Sequence, residues 1–479
     1  MTQEIKNILN IFHTAAREVP AYRSFLKANK IDPKKIKMFE DFERLPIMDK
    51  HNFIHKYPFE QSFSRKKIPA MISASSGSSG KPTFWPRDDL QEQHGGEIHL
   101  RIFRDIFGIK PDQPTLVIDC FATGIWVAGN FTLSSCRYVS RQGYNLTSVT
   151  PGIEIEDILS CIKILGPHFK NVIIAGYPPF MMDVFVEAIK RGIKIPKNLK
   201  VMTSGDKFSE EWRDAVLKLL HLDGLSSVIS VYGCADASLL GFETAASIFL
   251  RRKSLEVPQL YHRLFGSEKS LPTILQYDPK YVFFEENGQE LIFTANTSIP
   301  LIRYNIHDVG NVLTHQEAAA ILSEYKLLEE ANRHGFKDWQ LPFVVKKGRT
   351  DVAVTFYALN IYPEDILAGI EDRRVKKFLT GDFFSYNQDI KNHKQQKLFI
   401  KLQLSPKTKL SAKIKELIGN SIVENLKKTS TEYRKLFAAI GNRALPEILF
   451  TKSKDFKIDH HRGLIDIQGK KPKVTLGEK

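Results

Sequence analysis

The sequence predicts an α/β fold, with a large N-terminal domain of layered sheets and helices over residues 1–350 and a smaller α+β domain over residues 351–479. Three observations predict it. Short β-branched runs alternate with helical patterns between residues 115 and 232, as in layered α/β domains. After about residue 350 the texture turns Lys-rich, with one alternating strand-like segment. Charge divides at nearly the same place: residues 371–479 hold 25 Lys and Arg against 12 Asp and Glu, whereas residues 1–370 hold 44 against 42. The net charge of +15 is therefore almost wholly C-terminal.

The elements follow in order. MTQEIKNILNIFHTAAREV mixes acids and bases through an amphipathic pattern with no unbroken apolar run, so it reads as a first helix and not as a signal peptide. Thr115–Asp119, Val172–Ala175, Lys200–Thr203 and Val228–Tyr232 are β-branched runs, and Phe180–Arg191 is helical in pattern. Tyr281–Phe284 and Leu291–Ala295 read as hairpin arms around Asn287-Gly288, with a loop longer than two residues. Residues 391–435 have a helical period, and Leu398–Leu404 alternates like a half-exposed strand. A chain of 479 residues with 42% apolar composition has material for a large core, which excludes a disordered or low-complexity class. No stretch nears the roughly 18 apolar residues of a membrane span. Cys120, Cys136, Cys161 and Cys234 match no zinc or redox spacing and read as reduced thiols of a cytoplasmic protein.

The most informative segment is Ser73–Thr83, SASSGSSGKPT. Glycines and small hydroxylated residues leave backbone N–H groups and hydroxyls free to surround a phosphate, and Lys81 adds a point charge. It is not a Walker A sequence, because two residues separate Gly77 from Gly80 and Pro82 follows the lysine. Taken alone it also reads as a flexible surface loop.

SSGSSGKPT resembles the phosphate-binding loop of the adenylate-forming (acyl-AMP synthetase) superfamily, and its Lys-Pro-Thr ending resembles that of the phenylacetate–CoA ligase-like branch. Further segments stand in the order that family requires. Val19–Arg23, Phe39–Lys50 and Tyr57–Phe59 resemble the branch's N-terminal signature. Tyr232-Gly233-Cys234-Ala235-Asp236 resembles the Tyr-Gly-x-Thr-Glu motif, Leu301–Asp308 (LIRYNIHD) the Arg-Tyr-x-x-x-Asp motif, and Gly348–Asp351 the hinge motif, with Asn360–Pro363 beyond it.

The resemblance implies ATP, Mg²⁺ and coenzyme A as cofactors. It implies Ser75, Ser76, Gly77, Ser78, Ser79, Gly80 and Lys81 around the phosphates, Asp236 on the metal, and Asp308 on the ribose hydroxyls. Ser204, Gly205, Asp206, Tyr232 and Gly233 would border the adenine, Arg349 would reach the nucleotide, and Asp351 would be the hinge near residues 349–351. Lys457 best fits the C-terminal catalytic lysine, with Lys454 next and Lys452 within reach, and Lys81 assists from the loop. On residue chemistry alone, Asp236 could equally cap a helix and Asp308 could be solvated.

Departures are visible. Ala235 lacks the usual threonine hydroxyl, Asp236 is one methylene shorter than glutamate, and Asn305, Ile306 and His307 replace Arg-Thr-Gly. The Ala-Asp form resembles a sub-branch associated with small-molecule and antibiotic biosynthesis, including phenazine pathways. The implied activity is activation of a carboxylic acid, aryl or arylacetic first, to an acyl-adenylate and transfer to coenzyme A. The alternatives are a carrier-protein or amine acceptor and a non-catalytic binding homologue. Phe121, Trp126, Phe131, Tyr144 and Phe242 are candidate pocket walls, equally readable as core. The expected partners are the small acid, a carrier protein in the alternative, and a second copy as a homodimer. Neither nucleic acid nor a membrane is expected, because the basic excess lacks arginine-rich or aromatic-interleaved runs.

Overall fold

A computed structural model describes residues 2–64, 69–75, 83–205, 207–266, 272–349, 354–357, 359–390, 395–406, 408–452, 456–459 and 463–466. The chain divides into two compact units, the larger ending at Arg349.

The larger unit begins with the helix Gln3–Glu18, whose first turn is capped by the Thr2 hydroxyl and whose Ile8, Leu9, Phe12, Ala15 and Ala16 are buried. Pro20, at a position where a missing N–H costs nothing, starts the next helix, Pro20–Ala28. The strands are β1 (Met71–Ser75), β2 (Thr83–Arg87), β3 (Thr115–Asp119), β4 (Leu146–Val149), β5 (Asn171–Gly176), β6 (Leu199–Thr203), β7 (Val228–Cys234), β8 (Ser238–Phe242), β9 (Thr273–Gln276), β10 (Val282–Asn287), β11 (Glu290–Ala295), β12 (Leu301–Leu313) and β13 (Phe343–Arg349). β1 and β2 pair as an antiparallel hairpin, and the rest form one sheet in the order β10-β11-β12-β13-β9-β8-β7-β6-β5-β3-β4.

β4, β3, β5, β6 and β7 run parallel, and from β7 onward the pairing is antiparallel. Every residue of β3 and β5 is buried, the mark of parallel strands covered on both faces, which is why these runs are apolar without alternation. The helix predicted at Phe180–Arg191 spans Pro178–Lys190. The β10–β11 hairpin differs from expectation: its arms extend to Asn287 and Glu290, so the loop is the two residues Gly288 and Gln289. Gly288 takes φ +63°, the positive value a two-residue hairpin turn demands of its first position. Phe12, Tyr22, Phe42 and Phe53 from the N-terminal segment pack in one core with Phe284, Phe293 and Tyr304 of the antiparallel half.

The smaller unit contains β14 (Val354–Phe356), β15 (Leu359–Ile361), β16 (Leu379–Ile390), β17 (Gln395–Leu404), β18 (Glu447–Thr451), β19 (Phe456–Asp459) and β20 (Gly463–Asp466). β16, β17 and β18 form a three-stranded sheet. β17 alternates buried and half-buried residues along its whole length, as the sequence predicts for Leu398–Leu404. The helical period ascribed to residues 391–435 holds for the helix Ala412–Thr429 and gives way to strand over 395–404. That helix crosses Pro363–Ile370 at Gly369, where a Cβ would stand 2.7 Å from the Ile422 Cα. All four cysteines are free thiols. Among the described residues no helix is long and apolar enough to cross a membrane.

Candidate active site

The turn between β7 and β8 carries Ala235, Asp236 and Ala237, with Gly233 opposite Leu239 and Cys234 opposite Ser238. Backbone geometry dictates the residue types. A Cβ on Gly233 would lie 2.6 Å from the Ser238 carbonyl oxygen, and Ser238 itself takes φ +70°. Arg87, buried on β2, donates to the Ala235 carbonyl at 2.7 Å and also to the Ser238 hydroxyl. Gln91 donates to the same hydroxyl at 3.0 Å. The turn is thus clamped from beneath. Gly233→Ala is expected to destabilise the protein by about 1–3 kcal/mol, because the clashing atom is backbone and cannot rotate away. An unchanged melting temperature would show that the strands separate freely here.

The clamp fixes Asp236, whose side chain is only 3% exposed although it sits at a hairpin tip. Tyr304 of β12 donates its hydroxyl to Oδ2 at 2.8 Å, and the Lys50 ammonium lies 3.3 Å from Oδ1. Lys50 comes from the N-terminal segment, which is fastened to β12 by Met48 N–H to the Arg303 carbonyl (3.1 Å) and Asn305 N–H to the Met48 carbonyl (2.8 Å). Burial, with Asp236 adding to it, pushes the Tyr304 hydroxyl well above the ordinary tyrosine value, so it remains a donor. Helix capping is not the task of Asp236.

A second buried carboxylate stands further along β12. Asp308 is 1% exposed, accepts the Tyr232 hydroxyl, and has Lys346 at 3.6 Å and Arg349 at 3.9 Å. Its Oδ1 is buried and has no hydrogen-bond donor among the described residues. Asp308 pairs in register with Arg349 of β13, so the strand ladder itself brings the guanidinium to the carboxylate. The Lys346 ammonium stands 5.0 Å over the Tyr232 ring, and Phe284 stacks on that ring with centroids 6.2 Å apart. Asp308 is not solvated. Cys234 senses both carboxylates: burial first, then Asp236 and to a lesser degree Asp308, raise its thiol to about 12.

Ser75 closes β1 opposite Thr83 of β2, so the two ends of the Ser-Gly loop are held as hairpin partners. The Ser75 hydroxyl accepts the Trp85 indole N–H at 3.0 Å, and His55 Nε2 lies 3.0 Å from the Thr83 hydroxyl. Ser76, Gly77, Ser78, Ser79, Gly80 and Lys81, with Asp206, Asp351 and Lys454, lie outside the described residues. Ser204 follows β6 and donates to the Val231 carbonyl at 3.2 Å, and Gly205 takes φ +89°. Lys457 lies on β19, paired with Ile465. Of the candidate pocket walls, Phe121, Phe131 and Phe242 are core: Phe121 packs on Tyr177, Phe131 fills the space beside Gly95, and Phe242 meets Trp339.

Lys50, Arg87, Tyr304 and Lys346 were not singled out by sequence. Lys50 and Tyr304 fall inside motifs quoted for the resemblance, which was their available signal. Arg87 and Lys346 have none, because their partners are remote in sequence.

Magnesium can be tested against the residues present. Among the described residues no group of three His, Cys, Asp or Glu could hold a metal ion, and both Asp236 oxygens already face donors. This suits an ion that arrives on nucleotide phosphates and takes one carboxylate from protein, the usual mode for Mg²⁺, better than a resident ion.

No family model matches the chain. Over 356 residues it is 22% identical to a phenylacetate-coenzyme A ligase of Thermus thermophilus, matching 73% of this chain and 70% of that enzyme. It is 24% identical over 302 residues to a phenylacetate-coenzyme A ligase of Aromatoleum evansii, covering 62% of this chain and 63% of that enzyme. Among solved structures, a 2-hydroxyisobutyryl-CoA ligase in complex with 2-HIB-AMP and CoA in the thioesterification state aligns with TM-score 0.65 at 15% identity, over 97% of this chain and 90% of that one. The fold is that of the adenylate-forming ligases. The curated relatives it matches are phenylacetate-coenzyme A ligases, and the similarity to them runs over 62–73% of this chain.

Proposed function

We propose that the chain activates a carboxylic acid with ATP and passes the acyl group to coenzyme A. The observation that carries this reading is the pair of buried carboxylates, Asp236 and Asp308, each accepting a tyrosine hydroxyl and each within ion-pair distance of a lysine. In the first half-reaction a substrate carboxylate oxygen attacks the α-phosphorus and the bond to pyrophosphate breaks. In the second the coenzyme A sulfur attacks the acyl carbon of the mixed anhydride and AMP leaves. Both steps join anions, so catalysis rests on positioning and charge neutralisation.

Asp308 accepts the ribose hydroxyls, held in place by Tyr232, and Arg349 and Lys346 balance its charge. The loop Ser75–Lys81 surrounds the β- and γ-phosphates. Asp236 holds the nucleotide-borne Mg²⁺, which neutralises phosphate charge when bound. Lys457, with Lys454 as its neighbour in the motif, neutralises charge developing between the carboxylate and the α-phosphate. Asp351 is the hinge for movement of the smaller domain between the two half-reactions. The phenylacetate named for the relatives makes aryl and arylacetic acids the first substrate class.

The test is Mg²⁺-dependent exchange of labelled pyrophosphate into ATP across a panel of aryl, arylacetic and fatty acids, followed by AMP release on adding coenzyme A. Exchange is expected with members of the first two classes, and coenzyme A-dependent AMP release with the same acids. A folded protein that gives no exchange with any acid would leave only the binding homologue.

A further inference from the structure

Asp236 and Lys50 form an unequal pair. The carboxylate side chain is 3% exposed and the lysine 32%, so the cation is the member that solvent and solutes reach. The backbone of Lys50 is fixed by the Met48 bridges to β12 and by the turn in which Asp49 accepts the Asn52 N–H at 2.7 Å. Its flexible four-carbon stem lets the ammonium swing. The ammonium also stands 5.7 Å over the Trp85 ring on β2, two residues beyond Thr83 and the end of the Ser-Gly loop. Lys50 therefore lies between a buried carboxylate and the strand leading out of the segment ascribed to the phosphates.

A divalent cation approaching Asp236 from solution meets this ammonium at contact range, where like charges repel by several kcal/mol at protein-like dielectric values. A nucleotide brings the opposite sign. We infer that Lys50 guards Asp236: its ammonium excludes free divalent cations from the carboxylate and turns to phosphate oxygens when a nucleotide carries the metal in. An ammonium has three donors and can bridge carboxylate and phosphate during the exchange. The inference rests on the nucleotide-binding reading above and adds an order to it, with no metal bound at Asp236 before the nucleotide.

The experiment uses the full chain, Mn²⁺ alone and ATP alone. Mn²⁺ binding is read by electron paramagnetic resonance without nucleotide, and metal-free ATP binding by calorimetry in excess chelator. Lys50→Met should bind Mn²⁺ at least about tenfold more tightly than the wild type, and should bind metal-free ATP about ten- to a hundredfold more weakly through loss of a charged contact. Adding Asp236→Asn to Lys50→Met should abolish the gain in Mn²⁺ affinity, and Lys50→Arg should retain most of the ATP affinity. Circular dichroism confirms folding, with Lys50→Gln in reserve. The inference fails if Lys50→Met binds Mn²⁺ no better than wild type, if the gain survives the Asp236→Asn change, or if ATP affinity is unmoved. Because Mn²⁺ is measured without nucleotide or acid, the guard can fail while acid-dependent exchange persists, and exchange can be absent while the guard stands.

Discussion

Asp308→Asn is expected to weaken ATP binding about a hundredfold or more while leaving the protein folded. The carboxylate is buried, with Oδ2 held by Tyr232 and Oδ1 without a donor among the described residues, so part of its acceptor capacity is unspent. Two ribose hydroxyls donating to a carboxylate would each contribute about 1.5–3 kcal/mol as charge-assisted hydrogen bonds, and losing roughly 3 kcal/mol is about two powers of ten in affinity. Asparagine keeps the shape but removes the charge, leaving Lys346 and Arg349 facing a neutral amide. Calorimetric titration with a non-hydrolysable ATP analogue measures the effect, and Tyr232→Phe, which removes only the positioning hydroxyl, should cost about tenfold at most. An Asp308→Asn protein with wild-type affinity would remove the ribose assignment.

The carboxylates of this site were legible in the sequence because each sits in a motif whose order along the chain is itself a signal. Of the cations around them the motifs point to Arg349 alone, as a nucleotide contact, and its pairing with Asp308 is not legible there. Arg349 neighbours Asp308 through strand register, and register between β12 and β13 cannot be read from either segment alone. Lys50 reaches Asp236 only after the N-terminal segment docks on β12, a contact made by two backbone hydrogen bonds that leave no compositional trace. Four of the five parallel strands are legible because burial on both faces forces apolar runs, whereas β4, half-buried at the sheet edge, carries no such run; in β17 burial on one face forces alternation. The β10–β11 turn was misjudged because Glu285, Glu286 and Glu290 look like loop residues, whereas backbone pairing carries both arms to the tip. Glu290 there has a purpose: it accepts from Asn305 at 2.7 Å and lies 3.2 Å from His307 Nδ1, two of the residues that depart from the family's Arg-Thr-Gly.

Stability of the sheet that presents this site depends on a different buried network, and Arg213→Met is expected to be the most destabilising single change considered. Arg213 is fully buried on the helix Glu210–Leu220. Its guanidinium donates to Glu210 at 2.9 and 3.1 Å, to Glu243 at 2.8 Å and to the Val228 carbonyl at the start of β7. Glu243 also accepts the Ser230 N–H at 2.7 Å, and Arg251 donates to Glu210 at 2.5 Å. Removing one partner from such a network costs about 3–5 kcal/mol, because the remaining charge stays buried without its counter-ion. A fall in melting temperature of several degrees to about ten is expected for a unit of this size. Converting Glu243 to Gln in the Arg213→Met background should recover part of the loss, since an amide is cheaper to bury than a carboxylate whose guanidinium partner is gone. The exposed pair Arg191 and Glu156 provides the contrast: Arg191→Met should change stability by less than about 1 kcal/mol. Below its melting temperature the Arg213→Met protein should bind ATP within about threefold of wild type, because the Tyr232 hydroxyl and the Asp236 carboxylate are held by β12 and the β7–β8 turn by Arg87, while the Arg213 network touches β7 only at Val228 and Ser230. A large loss of affinity in the folded variant would mean that the helix Glu210–Leu220 positions the nucleotide site as well as stabilising the sheet beneath it.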